Sequence, residues 1–447
     1  MNNPGNFNYN QIIRHIIAVL ILALVVLAGC QGDSIIGAVF PVTPDSESHT
    51  ETGEPETELG TPQETPSPAE ISIRDLVIWV PPQFDPSANN PAAQLFNQRL
   101  QDYQQDNPHI NVIVRVKSAS GPGSLLETLI SANAVAPDSL PALALLTRSD
   151  MNQAISKNLL APMDELSTVI DEDDWFTFSR DMAIQQGTSY GLPFASNLLG
   201  IVYRQQVLES DQPMWDEAIR RMNQLIFPAG DPDALVTMSL YLSAEGEIRD
   251  AQGHQMITPE ELTDVLNVYA EASRRGLFPS VLTELQNDDQ AWEFFQDNES
   301  DAVITWASRL FIDTETYRLA MLPSIGDQPY TTATGWLWCL PSTNEVDILA
   351  GIRLAEYLVA SDFLEEWSPV SGVFPVRPSS QNGWDDSVLK STISGMLQYA
   401  YLRPDRTLTS VITPELKNSV GEVLTRVSTP AESAQKLIDR LEVIEAQ

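Results

Sequence analysis

The run Leu198-Leu199-Gly200-Ile201-Val202-Tyr203 constrains the fold more than any other stretch, because a near-continuous apolar segment of strand length belongs between two packed layers. Turn chemistry precedes it in Tyr190-Gly191-Leu192-Pro193-Phe194-Ala195. Gly191 can take backbone angles closed to other residues, while Pro193 fixes its own φ and pushes Leu192 towards an extended conformation. Between turn and run lies one polar step, Ser196-Asn197. Two readings fit: a loop entering a core strand, or a crossover at which the chain leaves one lobe and starts another.

With 447 residues the chain exceeds what one ordinary core organises, so two lobes are expected. A formal net charge of −36 repels a phosphate backbone, which excludes nucleic acid as a partner. The first thirty residues read as a targeting segment, with Arg14 as the one basic side chain and an apolar run from Ile16 to Leu27. That run is shorter than the ~20 residues a spanning helix needs. It ends in Leu27-Ala28-Gly29-Cys30, which resembles the lipobox of bacterial lipoproteins, with Cys30 as the acylated residue. A plain signal peptide or an uncleaved anchor is the simpler reading. Residues 31–70 are rich in Pro, Thr, Ser and Glu and hold no Lys or Arg, so they read as a disordered acidic tether. With Cys30 lipidated, Cys339 has no partner, and no internal disulfide is expected.

From residue 71 the order of elements is α/β. Leu76–Val80 reads as a strand, Pro91–Tyr103 as an amphipathic helix ended by Asn107-Pro108, and Ile110, Val112, Val114 and Val116 alternate as a second strand. This strand–helix–strand unit predicts a parallel sheet. A helix over 123–133, a strand at 143–146 and a helix over 150–157 repeat the theme. Later, Thr258-Pro259-Glu260-Glu261 opens a helix that Arg274-Arg275-Gly276 closes. Strands are expected at 302–306 and 335–340, a helix over 348–360, and helices from Ser387 onward.

Catalytic and metal motifs are not found. His109 and His254 are the histidines of the folded part, and no His-Glu-x-x-His, paired cysteines, Gly-x-Ser-x-Gly or phosphate loop occurs. Gly121-Pro122-Gly123 lacks the third glycine of a dinucleotide fingerprint. Asp171-Glu172-Asp173-Asp174 lacks the turn glycine and distal glutamate of a calcium loop, and reads as a solvated acidic face. No catalytic residue, metal or cofactor is therefore assigned.

The motifs that do occur, taken in order, resemble the extracellular solute-binding proteins of ABC importers, in the family that includes the maltose- and other sugar-binding proteins. They are Asn107-Pro108-His109-Ile110-Asn111-Val112, Ala136-Pro137-Asp138, Leu159-Leu160-Ala161-Pro162-Met163-Asp164, Tyr190-Gly191-Leu192-Pro193, Pro213-Met214-Trp215-Asp216-Glu217 and Gly372-Val373-Phe374-Pro375-Val376-Arg377. Arg204 stands where the family has asparagine, and Met214 where it has threonine.

The resemblance implies a two-lobe periplasmic-binding-protein-like fold with a ligand cleft and hinge crossings near Gly191–Pro193, Thr331–Gly335 and Phe374–Arg377. Lobe 1 would span about 71–190 plus 331–373, and lobe 2 about 191–330 plus 374–447. It further implies a monomeric, lipid-anchored receptor on the outer face of the cytoplasmic membrane that delivers a solute, first a carbohydrate, to permease subunits. A polyol, glycerol phosphate or polyamine receptor, a surface carbohydrate-active enzyme, and a structural lipoprotein without ligand remain open. Sugars need aromatic platforms beside polar groups, and α/β folds bind beyond the carboxyl ends of strands. The candidate ligand residues are accordingly Trp79, Ser118, Ser120, Arg148, Asp150, Asn197, Trp306, Trp336 and Trp338.

Overall fold

The computed structural model describes residues 73–445 apart from 206, 299 and 386. The targeting segment, Cys30 and the tether lie outside the described residues. Among the described residues there are eleven strands: β1 (Arg74–Val80), β2 (Ile110–Val116), β3 (Leu143–Thr147), β4 (Ile184–Gln185), β5 (Thr188–Ser189), β6 (Leu192–Arg204), β7 (Leu225–Ile226), β8 (Ala302–Trp306), β9 (Tyr317–Met321), β10 (Thr331–Cys339) and β11 (Ala400–Leu402). Nine of them form one sheet along the path β2-β1-β3-β10-β6-β8-β7, with β11 added beside β10 and β9 beside β6.

The predicted strand–helix–strand units are present, and β1 pairs in parallel with both β2 and β3. The sheet as a whole is mixed, because β10 runs antiparallel to β3 and β6, and β6 runs antiparallel to β8 and β9. An antiparallel partner can be supplied by a chain returning from a second lobe, which periodicity along one unit does not reveal.

Two long strands link two separate cores. On β6, Leu192, Phe194 and Ala195 pack into one core, and Leu198, Leu199, Ile201, Val202 and Tyr203 into the other. The change falls at Ser196-Asn197, inside one continuous strand. On β10, Ala333 belongs to the second core and Leu337 to Cys339 to the first. A third passage lies at Phe374–Val376, where Phe374 packs in the second core while Val373 and Val376 pack in the first. The three passages meet. Gly335 is the pairing partner of Ser196, and Ser196 exchanges backbone hydrogen bonds with Phe374 at 2.9 and 2.8 Å. The Ser196 hydroxyl, fully buried, also donates to the carbonyls of Phe374 and Pro375. A polar step in an apolar strand is thus satisfied by the neighbouring passage, as a buried hydroxyl must be.

Aromatic packing fills both cores. In the first, Phe194 lies 4.5 Å from Trp367 and 5.5 Å from Trp338 between ring centroids. In the second, Phe227, Tyr269 and Phe278 lie within 5.0 to 5.6 Å of one another. Cys339 is a buried free thiol, and burial pushes its pKa up, so it stays protonated.

The family departures have structural explanations. Arg204 donates to the carbonyls of Phe295, Asn298 and Ser300 and stacks over the Phe295 ring, so it caps the end of the helix Asp288–Asp297. Met214 sits at the N-cap of the helix Trp215–Arg221 with no side chain to cap it, and is 70% exposed. The helix Pro259–Arg275 begins and ends where its sequence signals place it, with Gly276 left-handed at φ 85. From Ser387 the chain is not wholly helical: β11 interrupts it, and its Ala400-Tyr401-Leu402 pairs in parallel with Thr331–Ala333. The acidic stretch is only partly solvated, since Glu172 and Asp174 flank the buried Arg377 guanidinium at 2.7 and 3.7 Å.

Candidate functional site

Between the two cores lies a cavity of about 320 Å³. Its walls come from both lobes. Thr147, Arg148, Asp150, Asn152 and Gln153 follow the carboxyl end of β3, and Trp306 ends β8. Thr334 lies on the crossing strand β10, and Arg403, Asp405 and Arg406 lie just past β11. A volume of this size falls at the lower end of ordinary small-molecule sites. A larger cavity of about 700 Å³ opens beside Tyr203, Asp211, Tyr317 and Arg318 within the second lobe. It lies away from the three passages, so lobe movement would not act on it directly.

The geometry follows from local structure. Thr147 caps the helix Arg148–Ser156, its hydroxyl accepting from the Asp150 amide at 3.1 Å. The helix starts two residues earlier than expected, so Arg148 stands in its first turn rather than ahead of it. Arg148 Nη1 donates to the Asp181 carbonyl at 2.6 Å. Burial pulls its pKa down, opposed by Asp405 and Asp181, and a guanidinium remains charged despite this. Burial raises the Asp150 carboxyl, only partly offset by its hydrogen bond with Thr147.

Trp306, half-buried, is held from behind. Asp288 accepts from the Thr305 hydroxyl at 2.5 Å and from the Trp306 amide at 3.4 Å, and it pairs with Arg309 at 3.0 Å. On the opposite wall Asp405 caps the helix Arg406–Thr409. Burial acts to raise Asp405, but hydrogen bonds from Thr407 and Asn152 outweigh it and hold the carboxyl below its usual value. Asn152 donates to Asp405 across the cavity, so the lobes touch there. Its Oδ1 is buried without a partner among the described residues. Arg403, at 2.7 Å, and Arg406 both pair with Asp233.

Arg148, Asp150 and Trp306 are therefore brought together. The other candidates lie elsewhere. Trp338 is fully buried against Phe96 and Phe194. Trp336 shares its face, as alternation requires, and packs edge-on against Phe84 at 5.3 Å, because that face meets the core of the first lobe rather than the cleft. Trp79 is 3% exposed, with Lys117 above its ring at 4.8 Å. Ser118 and Ser120 are exposed, with the Ser118 hydroxyl donating to the Ser120 carbonyl at 2.8 Å. Asn197 is buried at the hinge, donating to Ser308 at 2.8 Å and accepting from the Ser308 amide.

Thr147, Asn152, Gln153, Thr334, Arg403, Asp405 and Arg406 were not anticipated. Arg403-Pro404-Asp405-Arg406 carried a signal: the proline breaks a helix, and an aspartate before a polar turn reads as an N-cap. Among the described residues, no group of three or more His, Cys, Asp or Glu could hold a metal ion, and no helix is long and apolar enough to cross a membrane.

Comparison with known proteins bears on this arrangement. Residues 98–392 match the model of a family described as bacterial extracellular solute-binding protein. No curated protein matches the sequence significantly. Among solved structures, the sugar-binding protein MalE from Xanthomonas citri is similar at 19% identity and a TM-score of 0.66, covering 83% of this chain and 98% of that one. The maltodextrin-binding protein MalE1 from L. casei BL23 is similar at 12% identity and 0.65, covering 83% and 98%. The cyclic alpha-maltosyl-1,6-maltose binding protein from Arthrobacter globiformis is similar at 17% identity and 0.64, covering 83% and 99%.

Proposed function

The chain belongs to the bacterial extracellular solute-binding proteins, a family that binds solutes outside the cytoplasm rather than transforming them, and from that premise we propose that it captures a carbohydrate in the inter-lobe cavity and hands it to an ABC permease. The observation that carries the reading is Trp306 presented to a cavity whose other walls are polar and come from both lobes. An indole takes the apolar face of a sugar ring, while Asp150, Gln153 and Thr334 exchange hydrogen bonds with its hydroxyls. The structural neighbours, which bind sugars and maltodextrins, support the same class of ligand.

Three passages meeting at Ser196, Gly335 and Phe374 are a hinge about which the lobes close, and ligand shifts the balance towards the closed form that the permease reads. Acylation of Cys30 holds the receptor, as a monomer, at the outer face of the cytoplasmic membrane, with residues 31–70 as tether. Several acyl chains on one residue anchor stably where one would not.

A thermal-shift screen against sugars, polyols, polyamines and sugar phosphates tests the proposal. A ligand at ~100 times its Kd adds roughly 2.7 kcal/mol of apparent stability. A selective shift with the ligand recovered unchanged supports it. Conversion of the ligand would instead favour a carbohydrate-active enzyme using Asp150 and Asp405, the carboxylates of the cavity. Shifts by polyamines or polyols alone would remove the carbohydrate.

A further inference from the structure

The cavity lining holds three arginines, Arg148, Arg403 and Arg406, against two aspartates, Asp150 and Asp405, in a chain whose net charge is −36. Their states differ. Arg403 and Arg406 are both committed to Asp233, which they hold below the usual carboxylate range despite its burial. Asp405 is committed to Asn152 and to the Thr407 amide and hydroxyl. Arg148 is different. Among the described residues no carboxylate lies within ion-pair distance of it, and its one hydrogen bond uses a single N–H on the Asp181 carbonyl. Asp405 and Asp181 act on it only from beyond contact.

Arg148 is half-buried, and its remaining N–H donors, with no protein partner among the described residues, are open to a group entering the cavity. The same helix adds to its field. The amides of Arg148 and Ser149 are the first of a nine-residue helix, where no intrahelical acceptor exists. Planar guanidinium donors match an anionic oxygen pair.

Resting on the carbohydrate reading above, we propose that the solute is an anionic saccharide whose acidic group pairs with Arg148 while its ring stacks on Trp306. Asp150 accepts from its hydroxyls. The chain's negative charge does not forbid this ligand, because exposed charges beyond about 8 Å are screened at physiological salt. Selection is made inside the cavity by one unpaired cation.

The test is calorimetric titration of the full chain in detergent with D-glucuronate and D-galacturonate, with glucose 1-phosphate, and with neutral glucose, galactose and maltose. The expected result is tighter binding of an acidic member than of its neutral counterpart, with the uronates and the sugar phosphate separating carboxylate from phosphate recognition. Arg148→Gln should cost the acidic sugar roughly 10- to 100-fold in affinity and cost a neutral sugar at least ten-fold less. Arg148→Lys should fall between, and its unchanged urea midpoint would show that the fold is intact.

Equal or tighter binding of neutral sugars would overturn the inference and leave the carbohydrate reading standing. Equal losses for both classes in Arg148→Gln would make Arg148 a support for the Asp181 carbonyl and also overturn it. No binding by any member of the panel would overturn both readings together.

Discussion

Gly335 is where β10 passes between lobes, and a methyl group added there meets β6 and Met182 at once. A Cβ there would lie 2.4 Å from the Ala195 carbonyl oxygen and 2.8 Å from both Cε and Sδ of Met182. Met182 is flexible but fully buried, and the carbonyl belongs to β6 itself, so β10 must shift away from β6 at the crossing. Overpacking of this kind costs about 1–3 kcal/mol. Loss of the glycine's freedom in the unfolded chain returns ~0.5–1 kcal/mol. Gly335→Ala should therefore be destabilised by about 1–2 kcal/mol. Gly421, within the helix Ile412–Leu424, has nothing within 4 Å of the same added methyl. There the same substitution should stabilise by about 0.8–1 kcal/mol. Urea unfolding followed by circular dichroism reads both. Equal shifts, or a Gly335→Ala midpoint above that of the wild type, would refute the close crossing of β6 and β10.

Four further outcomes follow from the site and its surroundings. Trp306→Ala should weaken the captured sugar by about 2 kcal/mol, some thirty-fold, in calorimetry, whereas Trp338→Phe should act on the urea midpoint and leave affinity little changed. Met214→Thr supplies the missing cap of the helix Trp215–Arg221 and should add about 1 kcal/mol in the same unfolding assay. Asp150→Asn should raise the urea midpoint at pH 7, because the wild-type carboxyl is held above its unfolded value; the gain should shrink as pH falls through that raised pKa and vanish below the unfolded value near 3.8. Asp233 and Asp405 are held low, so the stability they contribute is complete above about pH 4 and should be lost as pH falls through their depressed folded values.

Much of the fold was legible because its signals are local. Alternation marked β2 and helix caps marked Pro259–Arg275, whereas the crossover expected at the Gly191–Pro193 turn falls further on, at Ser196-Asn197, because β6 already begins at Leu192 and runs through the proline. What could not be read was the partner of each face. Trp306 and Trp338 are alike in sequence, each near the end of an apolar strand, yet one meets a cavity and the other Phe96 and Phe194. Alternation says that Trp336 and Trp338 share a face; the helices packed on that face decide whether ligand can reach it. The same holds for Arg403, Asp405 and Arg406, which reach the cavity only because β11 adds to the sheet beside β10. Arg204 shows the converse, a departure from the family pattern that proves to be a helix cap far from the cavity walls.

We propose that the lobes close about the Ser196–Gly335–Phe374 junction on a sugar held at Trp306. Spin labels on Lys157→Cys in the first lobe and Ser410→Cys in the second, in the chain from residue 71 where the remaining thiol of Cys339 is buried, report that movement as a distance distribution. Saturating ligand is predicted to shift the distribution to shorter distances and narrow it, and Trp306→Ala to require more ligand for the same change. A distribution that stays the same while calorimetry shows the ligand bound would contradict the account.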